Sequence, residues 1–153
     1  MAFTPRTWVV GEVVTAALMN QEVRDGSLAT FQELLPWTPL STIGSFGTNF
    51  SAGAPTPRMR KVRLGGVEEW WFEGRINTSS FAAATTLTMF TLNTGYRVAS
   101  ERGFTVYAST SAHYPVRLGF LSSGAVTGSV PSAAGTTTSV VWLDGVRITN
   151  PLA

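Results

Sequence analysis

The sequence predicts a mainly β protein, in which an N-terminal extended arm and a helix precede an antiparallel β-sandwich head of the jelly-roll type. Three observations predict this fold. Apolar and polar residues alternate along most of the chain after about residue 59, as they do in half-buried strands. Turn signals recur roughly every ten residues, as in antiparallel sandwiches. No strand pattern is followed by a long helical one, which excludes a doubly wound α/β fold.

The composition fits one folded domain and excludes several kinds of site. The chain has 153 residues, of which 44% are hydrophobic and 13% are charged, so the apolar side chains are numerous enough to form a core. It has no cysteine and one histidine, which excludes disulfides, thiolate zinc sites and metal sites that need two histidines. The net charge of +2 is too small to indicate a nucleic-acid partner. We therefore expect no metal, no cofactor and no nucleic acid.

Neither a membrane span nor a secretion signal is predicted. No apolar run approaches the roughly 20 residues that a transmembrane helix needs. Residues 1–6 lack the basic stretch and apolar core of a secretion signal. The sequence therefore predicts a soluble chain that is made without export and does not insert into a membrane.

Residues 1–36 are the first of three predicted segments, an arm followed by a helix. Trp8 is the aromatic anchor of the arm. Thr15 is a suitable N-cap, because its hydroxyl can accept a hydrogen bond from a free amide of the first helical turn. Residues 16–35 are rich in good helix formers, so the helix is expected to occupy this range.

A stripe of apolar residues lies along the predicted helix. Ala16, Met19 and Val23 stand at i, i+3 and i+7, which is the seam spacing of a self-associating helix. An isolated helix of this size is marginal in water, so the stripe has to pack against something. The pattern leaves two partners open, the β-domain of the same chain and further copies of the helix.

A break is expected in the middle of this range. Gly26 costs about 1 kcal/mol relative to alanine inside a helix. Ser27 is therefore expected to cap a second short helix that includes Leu34 and Leu35 and ends at Pro36.

The rest of the chain divides into a connector and a head. Residues 37–58 are rich in proline and glycine and are expected to form a turn-rich connector. Residues 59–153 are expected to form the β-sandwich head, with a hairpin turn at Gly65-Gly66. The strand after this turn is expected to run over residues 67–76.

Two aromatic side chains are candidates for surface binding. Adjacent strand residues face opposite sides of a sheet, so Trp70 can enter the core while Trp71 faces outward. An outward tryptophan indicates an interface or a sugar-stacking platform, unless the N-terminal helix covers it. Tyr107 also alternates with apolar residues of its strand and is the second candidate.

No catalytic set can be assembled from the sequence. The nearest acidic residue to His113 in the sequence is Glu101, and no nucleophile motif accompanies this histidine. Glu69 and Glu73 would share a strand face at about 13 Å, which is beyond the roughly 5–10 Å of a glycosidase acid pair. We therefore predict that the protein is not an enzyme.

Four basic residues fall close together at the start of the head: Arg58, Arg60, Lys61 and Arg63. On a strand, the first two would share one face and the last two the other. A nucleic-acid site would need one continuous basic face with stacking aromatics, so the pattern favours a solvated strand start. The alternative is contact with an acidic surface of a neighbouring subunit.

Residues 5–25, PRTWVVGEVVTAALMNQEVRD, closely resemble the opening of small tail-fibre and minor structural proteins of phages that infect actinobacteria. The shared features are a Trp, a Gly-Glu pair, Val-Thr-Ala, an Asn and Val-Arg-Asp. Met19 stands where the family more often has Leu, and Asn93 replaces a Pro of the family's Leu-Pro-x-Gly-Tyr-Arg turn. Stretches that resemble the family's first hairpin, this turn and its late strands lie within residues 60–76, 92–97, 118–126 and 143–146.

The resemblance implies a virion protein that is usually homotrimeric. The N-terminal arm and helix would attach it to the particle or bundle three copies, and the β-sandwich head would face outward. On this interpretation Trp8, Ala16, Met19 and Val23 form the trimer or attachment interface. The protein is then a phage structural protein of the fibre, spike or tail-tip type, made in the host cytoplasm and located on the virion.

Two alternatives remain open at this stage. The first is a capsid head fibre or decoration protein, which differs only in its place on the particle. The second is a carbohydrate-binding module that recognises host cell-wall glycan through outward aromatics such as Trp71 and Tyr107. The predicted partners are the chain itself, as a homotrimer, and other virion proteins. A host cell-surface glycan is a further partner if the head acts in adhesion.

Overall fold

The computed structural model describes residues 7, 9–11, 13–109, 113–131 and 138–152. These residues form a mainly β structure with a short N-terminal helix, which confirms the predicted fold class. In chain order the elements are α1 (Ala16–Thr30), β1 (Phe31–Pro39), α2 (Leu40–Ile43), β2 (Gly44–Phe46), β3 (Phe50–Ala52), β4 (Arg58–Leu64), β5 (Val67–Glu73), β6 (Arg75–Phe81), β7 (Thr86–Leu92), β8 (Arg102–Ser109), β9 (His113–Phe120), β10 (Ala125–Ser129), β11 (Thr138–Trp142) and β12 (Arg147–Thr149).

Helix α1 begins where the sequence predicts and continues past the expected break. The N–H of Leu18 donates to the hydroxyl of Thr15 at 3.2 Å, so Thr15 is the N-cap. The helix passes through Gly26 without interruption and ends at Thr30, whose hydroxyl donates to the Gly26 carbonyl oxygen at 2.8 Å. The cost of one glycine is small enough for a helix to absorb.

The second short helix expected after Ser27 is wrong, because the chain forms strand β1 from Phe31 onward. Strand β1 pairs with β4 in antiparallel fashion, and this ladder satisfies its backbone groups. Two register shifts interrupt the ladder, so the apolar side chains lack the strict alternation that predicts a strand. Pro36 is tolerated because an edge strand can hold a residue without an N–H. The strand crosses the boundary that the sequence predicts at residue 36.

The strands form two antiparallel sheets. The four-stranded sheet has the order β1-β4-β5-β12, and the eight-stranded sheet has the order β2-β7-β10-β9-β8-β11-β6-β3. A tight turn joins β2 to β3, the two outermost strands of the larger sheet, and the N–H of Phe50 donates to the Gly47 carbonyl oxygen there at 3.1 Å. The larger sheet therefore curves until its ends meet, and the head is an antiparallel sandwich that is nearly a closed barrel.

The strand predicted over residues 67–76 is divided at Gly74. Strand β5 before it belongs to the smaller sheet and strand β6 after it to the larger one. Gly74 has φ +86°, and a Cβ at this position would clash with the carbonyl oxygen of Thr56. Its N–H donates to a carboxylate oxygen of Asp144 at 2.7 Å. This glycine therefore makes the corner at which the chain passes from one sheet to the other.

The core lies between the two sheets. Trp70 enters the core, as predicted, and Phe72 on the same strand and Ile76 on β6 are buried with it. The hairpin at Gly65-Gly66 is also confirmed, with Leu64 opposite Val67. The largest fully buried side chains come from both sheets, from α2 and from the residue that follows β11: Trp70, Phe81, Phe90, Phe120, Ile43, Met59, Ile76, Met89, Leu92, Leu118, Leu143 and Ile148.

Candidate functional site

The apolar stripe of α1 is exposed. Ala16 lies at the surface, Met19 is 48% exposed and Val23 is 68% exposed, so the head of the same chain does not cover them. Trp8 lies outside the described residues. Of the eleven large hydrophobic side chains that are exposed in the described part of the chain, seven precede strand β2: Val9, Val10, Val13, Val14, Met19, Val23 and Phe31.

A row of alternating tryptophan and arginine side chains crosses the outer face of the four-stranded sheet. We call it the arginine–tryptophan row; its members are Trp37, Arg60, Trp71 and Arg147, one from each strand. The register places Arg60 opposite Trp71, and Trp71 opposite Arg147. The Arg60 guanidinium lies 4.9 Å from the ring centre of Trp37 and 4.1 Å from that of Trp71. The Arg147 guanidinium lies 4.2 Å from the ring centre of Trp71, so both arginines are within cation–π distance.

The acidic side chains beside the row already have partners. Glu73 forms an ion pair with Arg58, whose guanidinium also lies 5.2 Å from the ring centre of Trp37. Glu69 accepts a hydrogen bond from the indole N–H of Trp71 at 2.7 Å. Among the described residues, neither Arg60 nor Arg147 has a carboxylate partner, and the Nε of Arg60 is buried without a hydrogen-bond acceptor.

Trp71 therefore differs from the open platform that its outward position suggests. The side chain is half-buried, and two guanidinium groups lie over its ring. A cleft of about 310 Å³ adjoins it, with Trp37, Asp144 and Arg147 in its lining. The surface that this region presents to a ligand is consequently formed by arginine edges and not by a bare indole face.

A second concave surface lies on the outer face of the eight-stranded sheet. Gly103 and Gly119 stand opposite each other on β8 and β9, and Thr127 follows on β10, so the sheet has almost no side-chain bulk along this line. The resulting groove has a volume of about 510 Å³, and Arg117 contributes to its lining. Glycine inside a strand is typical of a place where a ligand or another backbone approaches closely.

Tyr107 lies on the same face of β8 as Gly103, four residues further along the strand. It is 69% exposed and stands opposite Pro115, which lines the adjoining part of the same face. Its ring is therefore available for contact, whereas the ring of Trp71 is covered. The two aromatics that the sequence singles out lie on different sheets and do not form one site.

Lys61 occupies the opposite face of β4 from the arginine–tryptophan row. Its ammonium group lies 4.5 Å from the ring centre of Trp70 and 4.3 Å from that of Tyr96, and it donates to the Gly95 carbonyl oxygen at 2.7 Å. Burial lowers the pKa of Lys61 below its usual value, and the nearby Glu68 carboxylate opposes that shift. The predicted solvated strand start therefore holds for Arg58, which is exposed, but not for Arg60 and Lys61, which are half-buried against aromatic rings.

The described residues also bear on catalysis, metals and membranes. The Glu69 and Glu73 carboxylates are engaged by Trp71 and Arg58, and His113 is the first residue of β9. Among the described residues, no three acidic or histidine side chains are grouped so that they could hold a metal ion. In the same part of the chain, no helix has both the length and the apolar character needed to cross a bilayer.

Sequence reasoning missed two members of the row. Trp37 lies in the predicted connector, and Arg147 is 76 residues from Trp71, so neither carried a local signal. The face shared by Arg58 and Arg60 was predicted, but not its stacking partners. Only the pairing of β4, β5 and β12 brings these side chains together.

Comparison with solved structures places the head fold among phage receptor-binding proteins. The receptor-binding protein gp15 of Listeria phage PSA superposes with a TM-score of 0.57 at 12% identity, over 87% of this chain and 73% of that one. The head domain of the lactococcal phage bIL170, from a study of receptor-binding domains, superposes with a TM-score of 0.52 at 13% identity, over 78% of this chain and 99% of that one. These likenesses establish a shared fold. No protein-family model and no curated protein sequence matches the chain.

Proposed function

We propose that this chain is a phage virion protein of the receptor-binding type, with an N-terminal segment that joins it to other copies or to the particle and a head that contacts the host surface. Two independent features support the proposal. The opening residues resemble small tail-fibre and minor structural proteins of actinobacterial phages, and the head shares its fold with two phage receptor-binding proteins. The protein acts by binding, and the engaged carboxylates of Glu69 and Glu73 are consistent with that role.

The observation that carries the proposal is the exposed stripe on α1. Ala16, Met19 and Val23 lie on one side of a helix, at the spacing of a self-associating seam. A water-exposed apolar stripe of this kind is stabilised when a partner covers it. Three copies with their stripes along a common axis supply that cover, and Trp8 anchors the arm beside them.

Measurement of the oligomeric state tests this arrangement. The whole chain is expected to run as a trimer in native mass spectrometry. The double substitution Met19→Asp with Val23→Asp places six carboxylates along the axis of a trimer and is expected to give monomers. Leu152→Asp introduces the same charge at another exposed apolar position and is expected to leave the trimer intact.

Two results would contradict the homotrimer. One is a monomeric wild-type chain at high concentration together with no trimer on the particle. The other is an unchanged trimer in the double variant, which would move the interface away from the stripe. Gold labelling of intact particles separates a tail tip or fibre from a capsid head fibre.

A second candidate function is recognition of host cell-wall glycan, and the position of Tyr107 favours it. Its exposed ring lies on the same face of the sheet as the groove floored by Gly103 and Gly119, and an exposed aromatic ring is suited to stacking against a sugar. Tyr107→Ala is expected to weaken binding of the purified protein to host cell walls by about three- to tenfold, since one aromatic contact contributes on the order of 1 kcal/mol. Equal binding by the variant would remove this surface from the proposal.

A further inference from the structure

The cleft beside the arginine–tryptophan row contains charged donors whose hydrogen-bonding capacity is unused. Both guanidinium groups lie over aromatic rings, and a guanidinium that stacks through its face keeps its N–H edge for other contacts. The cleft has a volume of about 310 Å³, and its charged lining residues are Arg60, Arg147, Asp144 and Glu73. The Glu73 carboxylate is paired with Arg58, so two arginines from different strands line the cleft without a carboxylate partner of their own.

Arg58 and Arg60 differ in a way that points to a missing acceptor. They share the outer face of β4, but the Arg58 guanidinium is paired with Glu73. The Nε of Arg60 is buried and has no acceptor among the described residues. The Nε of Arg75 is also buried without an acceptor. A ligand in the cleft cannot reach a fully buried Nε, so it would contact Arg60 through the terminal N–H groups of the guanidinium, which has no carboxylate partner among the described residues.

The acceptor that best matches these donors is an oxyanion. A carboxylate or a phosphate offers two or more oxygens in the geometry of the guanidinium edge, and such charge-assisted hydrogen bonds are strong. Arg147 supplies a second cation from the strand on the other side of Trp71. One anionic group near Trp71 can therefore be held by both arginines.

Asp144 narrows the choice of ligand. Its carboxylate lines the same cleft and can only accept hydrogen bonds when it is ionised. It would repel a surface with several negative charges, such as an acidic protein loop, but it can accept from a hydroxyl group next to a single anion. A unit that carries one anionic group beside several hydroxyls fits both requirements.

We infer that this cleft binds an acidic sugar unit, whose carboxylate or phosphate group is held by Arg60 and Arg147 while Asp144 accepts a hydrogen bond from a sugar hydroxyl. The inference deepens the host-surface role proposed above and rests on that role only for the source of the sugar. It does not involve the α1 stripe, so the site binds its ligand whether the chain is a trimer or a monomer.

Titration of the full-length chain with four probes tests the site. The indole N–H signals of Trp37 and Trp71 in ¹⁵N NMR spectra report binding at the row and can be assigned with Trp→Phe variants. Glucuronate and glucose 6-phosphate are expected to shift these signals in a saturable way. Glucose is expected to leave them unchanged, and inorganic phosphate is expected to bind more weakly than glucose 6-phosphate.

Substitutions then identify the donors. Arg60→Met and Arg147→Met keep most of the aliphatic stem and are each expected to weaken glucuronate binding about tenfold, as expected for the loss of a charge-assisted hydrogen bond. Arg60→Lys keeps the positive charge but loses the planar guanidinium with its two parallel donors. Its affinity for glucuronate is expected to lie between those of Arg60→Met and the wild type. Arg24→Met removes the same charge from an exposed position on α1, away from both candidate surfaces, and is expected to bind like the wild type. The thermal transition of each variant shows that it is folded.

Several outcomes would overturn the inference. The site would be ruled out if neither acidic sugar shifted the indole N–H signals. It would also be ruled out if Arg60→Met and Arg147→Met bound glucuronate with wild-type affinity. An equal loss in Arg24→Met would show that the measurement reports overall charge and not the cleft. Binding of inorganic phosphate as strong as that of both acidic sugars would leave an anion site without a sugar subsite. None of these results depends on the mass of the assembly, so a failure here is distinct from a failure of the proposed trimer.

Discussion

The N-terminal segment and the head differ in the burial of their apolar side chains. The head buries large residues from two sheets, and Trp70, Phe81 and Phe120 are almost fully enclosed. The described residues of the N-terminal segment leave Met19 and Val23 in water. The head has a core of its own, whereas the order of the helix depends on what covers it. The difference separates a unit that has its own core from a helix whose apolar stripe has no cover among the described residues.

The largest expected effect tests the claim that the head carries its own stability. Trp70→Ala removes a fully buried indole and leaves Glu68 without the hydrogen bond that it accepts at 2.8 Å. We expect a loss of about 3–5 kcal/mol in the free energy of unfolding, measured by urea denaturation. Trp37→Ala removes the same side chain from the outer face and is expected to cost less. Similar losses in both variants would contradict the division between core and outer face.

A smaller effect is expected at the corner between the sheets. Gly74→Ala places a Cβ against the carbonyl oxygen of Thr56 at a residue with φ +86°. The left-handed conformation costs about 1–2 kcal/mol for alanine, and the clash adds to that cost. Gly145→Ala is a matched control, because Gly145 has φ +84° but open space around its Cβ position. If the two variants unfold at the same urea concentration, the close approach at Gly74 has no energetic importance.

Lys61 is expected to make the free energy of unfolding of the head depend on pH. Burial lowers its pKa in the folded state below the usual 10.5, so the unfolded chain binds the proton more tightly. The contribution of Lys61 to stability is therefore least below the folded-state pKa and increases as the pH rises from that value towards 10.5. Because Lys61 is the chain's single lysine, its ¹³Cε NMR signal can be followed without overlap from other lysines.

The expected midpoint of that titration lies below 10.5. Glu68→Gln is expected to lower it further, since the Glu68 carboxylate raises the pKa of Lys61. A midpoint at or above 10.5 would mean that the ammonium group is as well solvated as in the unfolded chain. No change on Glu68→Gln would show that this carboxylate does not act on Lys61.

The smallest expected effect on the stability of the head comes from a substitution in helix α1. Val23→Ala trims an exposed side chain of α1 and is expected to change the free energy of unfolding of the head by less than about 0.5 kcal/mol. The same change is expected to weaken the trimer, which sedimentation at several concentrations measures. A clear loss of head stability would show that the helix and the head unfold as one unit.

The local features of the fold could be predicted from the sequence, while features set by pairing could not. The Thr15 cap, the Gly65-Gly66 hairpin and the inward face of Trp70 and Phe72 each depend on a few consecutive residues. Strand β1 was missed because its register shifts break the alternation by which a strand is recognised. The division at Gly74 was missed because the pattern does not show that the two halves of a strand enter different sheets.

The arginine–tryptophan row is another feature that depends on strand pairing and could therefore be predicted from the sequence only in part. Alternation placed Arg60 and Trp71 on the outer faces of their strands, and the structure agrees. Their contact, and the arrival of Arg147 beside Trp71, follow from which strands become neighbours. A solvated strand start was the expectation because a cluster of basic residues reveals nothing about the aromatic rings that stack against it.

The edge strands of the described sheets affect how closely neighbouring molecules can pack without pairing their strands. The outermost strands of the eight-stranded sheet, β2 and β3, have three residues each and are joined by a tight turn, and the four-stranded sheet ends at β12 and β1. One of these edges, β12, is three residues long, and the other, β1, contains Pro36 and two register shifts. Neither edge is a regular template for a strand of another molecule. Many heads can therefore sit side by side at high local density without joining edge to edge into fibrils.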